Sequence, residues 1–249
     1  MNTDPKGSGA SPSGATDAEA ARVRAVYAGY QSDPRTMAKW NLRNRGNACI
    51  RAEHNAAVLD LLARGGVRLG AARFLDVGCG SGGTLGWLAQ CGARQDRLYG
   101  VDLREDQIAL ARAQYPRMQW LCADARRLPF ADQFFDVIVC SVVFSSILDE
   151  GVARAAAAEL RRLVRSTGMI VWSEPRYRNP WNPHVRGYTG SDIQRLFPGC
   201  RIDLRTITVL PALARRLGRF SRVLYPMLAR LPFLRVKYLG AIRPKATDR

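Results

Sequence analysis

Glycines at positions 78, 80, 82 and 83 follow a short apolar run at residues 73–77 and lead straight into Thr84-Leu85-Gly86-Trp87-Leu88-Ala89. An apolar run that breaks abruptly into glycines is how a buried parallel strand delivers the chain into a tight turn, and the stretch beyond reads as a helix start. With no Cβ in the way, a small molecule can lie against the main chain where that helix begins. Gly78, Gly80 and Gly83 also satisfy the dinucleotide spacing G-x-G-x-x-G, and Asp102 lies beyond them about where a ribose-binding acid is expected. Asp76, two positions before the first glycine, separates the readings. A carboxylate there faces a pyrophosphate unfavourably and suits a ligand that carries an amino group and a sulfonium.

S-adenosyl-L-methionine is such a ligand. Asp76-Val77-Gly78-Cys79-Gly80-Ser81-Gly82 resembles the glycine motif of class I S-adenosylmethionine-dependent methyltransferases. Tyr99-Gly100-Val101-Asp102 resembles that family's second strand, whose terminal acid binds the ribose hydroxyls, and Cys122-Ala123-Asp124-Ala125 its third-strand motif, whose acid meets the adenine amino group. Leu128-Pro129-Phe130 and Phe135-Asp136-Val137 are similar to the signature of the branch that includes the quinone-biosynthesis methyltransferases. The resemblance covers residues 73–175 and implies a cofactor site made of Asp76, Gly78, Cys79, Gly80, Gly82, Asp102, Leu103, Asp124, Ala125 and Ser141. Asp136, at the start of a buried strand, matches a position whose role is mainly structural. Cys79 and Ser81 read as small spacers, since no histidine lies near them and the family does no covalent catalysis at this loop.

The elements that must position these residues alternate: strand 73–77, helix from 84, strand 98–102, helix from 105, strands 118–123 and 134–141, helix 151–164, strand 169–174. Such alternation implies a parallel sheet with helices on both faces, and ligands then bind beyond the carboxyl ends of the strands. Asp76, Asp102, Asp124 and Ser141 all fall at such ends. The expected fold is α/β, a Rossmann-like, seven-stranded, mostly parallel sheet. Further elements are a helix at 191–196, a strand at 201–210 and a final antiparallel strand at 236–243.

Residues 1–16, rich in Gly, Ser and Pro, are expected to form a disordered tail. Residues 17–66 are expected to form a helical lid, with Tyr27 and Tyr30 as acceptor contacts. One of its helices spans about 47–62 and aligns Ile50, His54, Val58, Leu61 and Leu62. Residues 67–249 make up the methyltransferase domain.

After Glu174, the stretch Pro175-Arg176-Tyr177-Arg178-Asn179-Pro180-Trp181-Asn182-Pro183-His184-Val185-Arg186 is an irregular, stiff loop beside the methyl-donor pocket. His184 is a candidate general base, because an attacking hydroxyl must lose its proton and imidazole titrates in the right range. Glu174 is a second catalytic candidate, and Arg186 a contact for the acceptor or its anionic group.

The 249 residues are 47% apolar and carry a net charge of +17, enough for one well-buried domain with additions. Residues 201–249 hold 12 Lys or Arg against Asp203 and Asp248. Within them, an insertion at 211–234 keeps Leu213, Leu217, Phe220, Leu224, Met227 and Leu231 at helical spacing beside four arginines, with Pro226 expected to kink it. This segment reads either as a cap on the domain or as a surface for anionic membrane. Six cysteines without a C-x-x-C pair and only two histidines argue against zinc or any other metal. No apolar run is long enough to span a membrane and residues 1–20 lack a signal-peptide core, so the expected location is cytoplasmic, with peripheral contact at the inner membrane face.

The expected activity is transfer of a methyl group from S-adenosyl-L-methionine to a small-molecule, glycan or lipid-linked acceptor, at oxygen, in a bacterial biosynthetic pathway. A nicotinamide oxidoreductase is opposed by Asp76. A nucleic-acid methyltransferase is opposed by Ser141-Val142-Val143-Phe144, which stands where the amino-methylating Pro-Pro-Tyr or Pro-Pro-Phe motif would be.

Overall fold

A computed structural model describes residues 12–245. Seven strands form one sheet: β1 (Phe74–Val77), β2 (Leu98–Asp102), β3 (Gln119–Cys122), β4 (Phe135–Ser141), β5 (Val164–Pro175), β6 (Cys200–Val209) and β7 (Arg235–Pro244). Their order is β3-β2-β1-β4-β5-β7-β6, parallel throughout except that β7 runs antiparallel to both of its neighbours. The order reverses between β1 and β4. The register there sets Asp76 between Gly100 and Val139, and Val77 beside Cys140, so the glycine turn emerges next to Ser141.

Side chains alternate across the sheet as the period of a strand requires. Leu75, Val77, Ile138, Cys140, Ile170 and Trp172 enter one core with α6 (Glu150–Leu163) and α7 (Gly190–Leu196). Phe74, Val137, Val139, Met169 and Val171 enter the other, with α3 (Arg45–Arg64) and α4 (Gly83–Gln90). The remaining helices are α1 (Pro12–Ser32), α2 (Pro34–Lys39), α5 (Glu105–Gln114), α8 (Pro211–Arg216) and α9 (Ser221–Leu228). No helix among the described residues is long and apolar enough to cross a membrane.

The Leu-Pro-Phe and Phe-Asp-Val signature has a packing role. Phe130, Phe134 and Phe135 surround the Tyr99 ring edge-on, with centroids 5.9, 5.6 and 5.3 Å away. Asp136 accepts the Arg73 backbone N–H at 2.8 Å and pairs with Arg165 at 2.7 Å, tying the start of β4 to β1 and β5.

Three boundaries differ from the sequence expectations. Of the tail expected at 1–16, residues 1–11 lie outside the described residues, and α1 already begins at Pro12. The expected lid at 17–66 divides. α1 lies over the strand ends, whereas α3 buries Val58, Leu61 and Leu62 against the sheet and binds β6 through Arg205, which reaches Asp60 and the Ala57 carbonyl. The insertion breaks at Gly218 rather than at Pro226. Gly218 takes φ +51°, a left-handed conformation open to glycine that cannot continue α8, while Pro226 is accommodated inside α9.

Phe135 is fully buried among three aromatic neighbours. Phe135→Ala should lower unfolding free energy by about 3–5 kcal/mol in urea denaturation. A loss below about 1 kcal/mol would show that the aromatic box is not structural.

Candidate active site

Asp76 is in β1, flanked by β2 and β4, 3% exposed, and its Oδ2 has no hydrogen-bond partner among the described residues. Burial pushes its carboxyl up to about 8, with the Thr84 side chain pulling it down and Asp102 adding to the rise. The sequence suggested an anion standing at the lip of the turn. The structure shows instead a recessed acid whose charge is costly until a cation arrives.

The turn above it is fastened to β2. Gly78 and Cys79 donate their N–H groups to the Val101 carbonyl at 2.8 and 3.0 Å, and Gly80 donates to Asp102 Oδ2 at 2.9 Å. Gly82 caps α4 at φ +85°, and a Cβ there would stand 2.5 Å from the Trp120 ring. A Cβ on Gly83 would meet nothing within 4 Å, so there is open room beside the first turn of α4. Asp102 also accepts the Arg104 N–H at 3.0 Å, and each of its oxygens retains a lone pair for a further donor.

Asp124 is held by Arg126, through its N–H at 2.9 Å and its guanidinium at 2.8 Å. Burial raises the Asp124 carboxyl, but Arg126 prevails and holds it below its ordinary value. Ala125 is half-buried beside this pair.

α1 crosses the carboxyl ends of the strands as a strap. Arg24 donates to the Leu103 carbonyl at 3.1 Å, and Asp17 approaches Arg126 at 3.6 Å. Glu19, buried and paired with Arg22 at 2.7 Å, accepts the Leu148 N–H at 2.6 Å. Tyr27 shares a hydrogen bond with the Ser146 hydroxyl at 2.7 Å, and Tyr30 donates to Asn182 Oδ1 at 3.0 Å. Tyr27 and Tyr30 thus meet the turn after β4 and the loop after β5, whose specificity role the sequence suggested. None of Glu19, Arg22, Arg24 or Arg126 was legible as a site residue, because each depends on where α1 docks.

Glu174 requires correction. It is fully buried, and Oε1 accepts the N–H groups of Val143 and Phe144 at 2.7 and 2.9 Å while Oε2 accepts that of Ser145 at 3.2 Å. Consecutive backbone donors curling around one carboxylate form an anion nest. Val142, at φ +58°, bends the chain into that shape. Glu174 is therefore an anchor for the turn after β4 and is not placed to touch an acceptor.

His184 is exposed, and its contact in the loop is through its backbone N–H, which donates to Asn182 Oδ1 at 3.1 Å. Arg186 donates its backbone N–H to the Ser145 carbonyl at 2.8 Å and lays its guanidinium over Tyr188.

A residue absent from the sequence reading stands closer in. Lys237, at the start of β7 opposite Pro175, donates to the Ser141 hydroxyl at 3.3 Å. Burial pushes its amine down to about 8; Glu174 favours the charge, and Arg51 opposes it. Arg51 is on α3, as is His54, whose imidazole burial drives down to about 3, with help from Lys237 and Arg51. The only signal in the sequence was one lysine in an apolar strand among many arginines.

A model of the methyltransferase domain matches residues 74–168. The chain is 30% identical over 178 residues to a 2-phytyl-1,4-naphtoquinone methyltransferase of Thermosynechococcus vestitus, an alignment covering 64% of this chain and 77% of that protein. The chain is a class I S-adenosylmethionine-dependent methyltransferase. This methyltransferase is also 32% identical over 164 residues to a trans-aconitate 2-methyltransferase of an Azoarcus species, covering 65% of the chain and 60% of that relative. Its fold matches the Burkholderia thailandensis 1,6-didemethyltoxoflavin-N1-methyltransferase, solved with 1,6-didemethyltoxoflavin and S-adenosylhomocysteine bound, at TM-score 0.63 and 17% identity over 97% of this chain and 94% of that one. Its methyl donor is S-adenosyl-L-methionine, and the unpartnered Asp76 oxygen beneath an open glycine turn fits a cationic nucleoside.

Because Asp76 titrates near 8 in the free enzyme and a cation stabilises its ionised form, binding should release a proton below that pH. Affinity for S-adenosylhomocysteine should therefore rise between about pH 6 and pH 8, by up to tenfold per unit, as read by calorimetry in buffers of different ionisation heat. Asp76→Asn should weaken binding about ten- to a hundredfold and flatten this dependence. An unchanged pH profile in the variant would remove Asp76 from the site.

Proposed function

We propose that the enzyme methylates a hydroxyl of a small-molecule, glycan or lipid-linked acceptor in a bacterial biosynthetic pathway, and that Lys237 takes the hydroxyl's proton. The observation that carries this reading is the Lys237 amine, lowered to about 8 and set beside Ser141 at the end of β4, next to the glycine turn. Small acceptors are also what two relatives are named for, a phytylated naphthoquinone in one and trans-aconitate in the other.

When bound, S-adenosylmethionine supplies a methyl carbon made electrophilic by its sulfonium. In this reading Asp76 holds the cationic end of the donor, Asp102 the ribose hydroxyls and Asp124 the adenine amino group. Positioning supplies most of the rate in such a displacement, so the backbone shape set by the Glu174 nest matters as much as any base. Lys237 would accept the proton as its free amine, leaving Glu174 nearby to favour the ammonium that results. Tyr27, Tyr30 and Arg186 would frame the acceptor between α1 and the loop after β5.

The sign follows from the lysine. Below about 8 the amine is charged and cannot act as a base, so kcat at saturating donor should rise with pH and level off above that value. Lys237→Met and Lys237→Arg should each lower kcat about a hundredfold and abolish this limb. His184→Ala should leave both rate and profile near those of the wild type. A limb that persists in the Lys237 variants and disappears in His184→Ala would transfer the role to the histidine. Acceptor class is read by labelled methyl transfer into fractionated cell extract, where label confined to nucleic acid would overturn the proposal.

A further inference from the structure

Residues 211–234 fasten to the domain by one side only. Val209, Ala214 and Tyr225 are buried together, with Cys49 and Ile50 of α3 packed against them, and the Tyr225 hydroxyl donates to Glu53 at 2.6 Å. The buried residues of α9 are Ser221 and Tyr225. The break at Gly218 turns the apolar stripe that the sequence pattern placed on a single helix, so that in α9 it points away from the protein.

Phe220, Val223, Leu224 and Met227 follow the i, i+3, i+4, i+7 spacing of one helical face and are 55%, 65%, 38% and 59% exposed. Phe233, in the turn after α9, is 71% exposed. A contiguous apolar surface of this kind is uncommon on a protein that meets only water and marks an interaction site. Arg216 and Arg219, just before α9, are exposed, whereas Arg222 and Arg230 edge the cleft between α9 and Cys49, Ala52 and Glu53 of α3, and positions 204–247 contain no acidic residue. Trp40, 58% exposed, stands beside α8, with the Arg215 guanidinium 5.4 Å from its ring centre.

The charge selects the partner. A second copy of the chain would set two arginine-rich faces against each other, whereas an anionic lipid surface neutralises them and accepts the apolar side chains at the headgroup boundary. We infer that the exposed face of α9 docks the enzyme on a bilayer surface bearing anionic phospholipid. The face is also suitably placed. β6 runs parallel to β5, since both are antiparallel to β7, so Val209 leads into α8 at the same edge of the sheet where Ser141 and the glycine turn emerge. An acceptor dissolved in or tethered to the membrane would then lie near the site. This inference does not rest on the identity of the acceptor or on the role of Lys237.

The test is sedimentation of the full chain with vesicles of mixed phosphatidylglycerol and phosphatidylcholine, and with vesicles of phosphatidylcholine alone. The protein should pellet with the first and not the second, and the bound fraction should fall as salt is raised. Phe220→Ser/Val223→Ser/Met227→Ser should reduce the partition coefficient more than tenfold, and Arg216→Gln/Arg219→Gln about fivefold for each arginine removed. Calorimetric binding of S-adenosylhomocysteine should match wild type in every variant, separating lost docking from lost folding or a lost donor site. Equal binding to both vesicle types, or binding to neither, overturns the inference. So does a dimer in light scattering that anionic vesicles fail to dissociate and that the apolar triple variant abolishes.

Discussion

A carboxyl group buried in the middle of a parallel sheet, with one oxygen lacking any partner, is the interaction on which the site depends. Asp76 lies between the backbones of β2 and β4, and burial, with Asp102 adding to it, pushes its carboxyl up to about 8. An acid kept there is destabilising for the free fold and favourable only to a ligand that brings positive charge. The glycine turn and the reversal of strand order between β1 and β4 deliver that oxygen to one place, at the carboxyl end of β1. Methyl-donor recognition is in this sense a property of the sheet before it is a property of any loop.

Two further carboxylates show how position changes the task of the same chemical group. Glu174, two strands over, has its oxygens occupied by three backbone N–H groups and serves to shape the turn after β4. Glu19, on α1, accepts the Leu148 N–H and pairs with Arg22, and so holds a strap across the ends of the strands. The strap is attached chiefly by hydrogen bonds and ion pairs at its polar face, contacts that exchange readily with water, rather than by a wide apolar seam. Elements fastened in this way belong to the low-stability end of a fold, where binding sites must open and close.

The acids at strand ends and the glycine turn were legible as structure because they are local in sequence and announce themselves by spacing. Asp76, Asp102 and Asp124 needed no tertiary contact to be placed. The acceptor half was not legible in the same way. Glu174 read as reactive because an acid at a strand end beside a loop looks available, and only the backbone of residues 143–145 shows that it is taken. Lys237 went unseen because it reaches Ser141 across β5, by way of an antiparallel strand that arrives almost a hundred residues later in the chain. In the insertion the expected interruption is at Pro226, and the left-handed Gly218 divides it instead.

Alternating apolar runs, glycine spacing and the acids at strand ends determined the fold class, the order of the elements and the chemistry of the methyl donor, since each of these is encoded within a few neighbouring residues. Tertiary structure alone decided which polar groups remain free. It spent Glu174 on backbone donors, brought the Lys237 amine to Ser141 and turned the stripe of α9 outward. Whether a side chain is engaged or available depends on groups distant in sequence that folding places within hydrogen-bonding reach, and no local pattern carries that information.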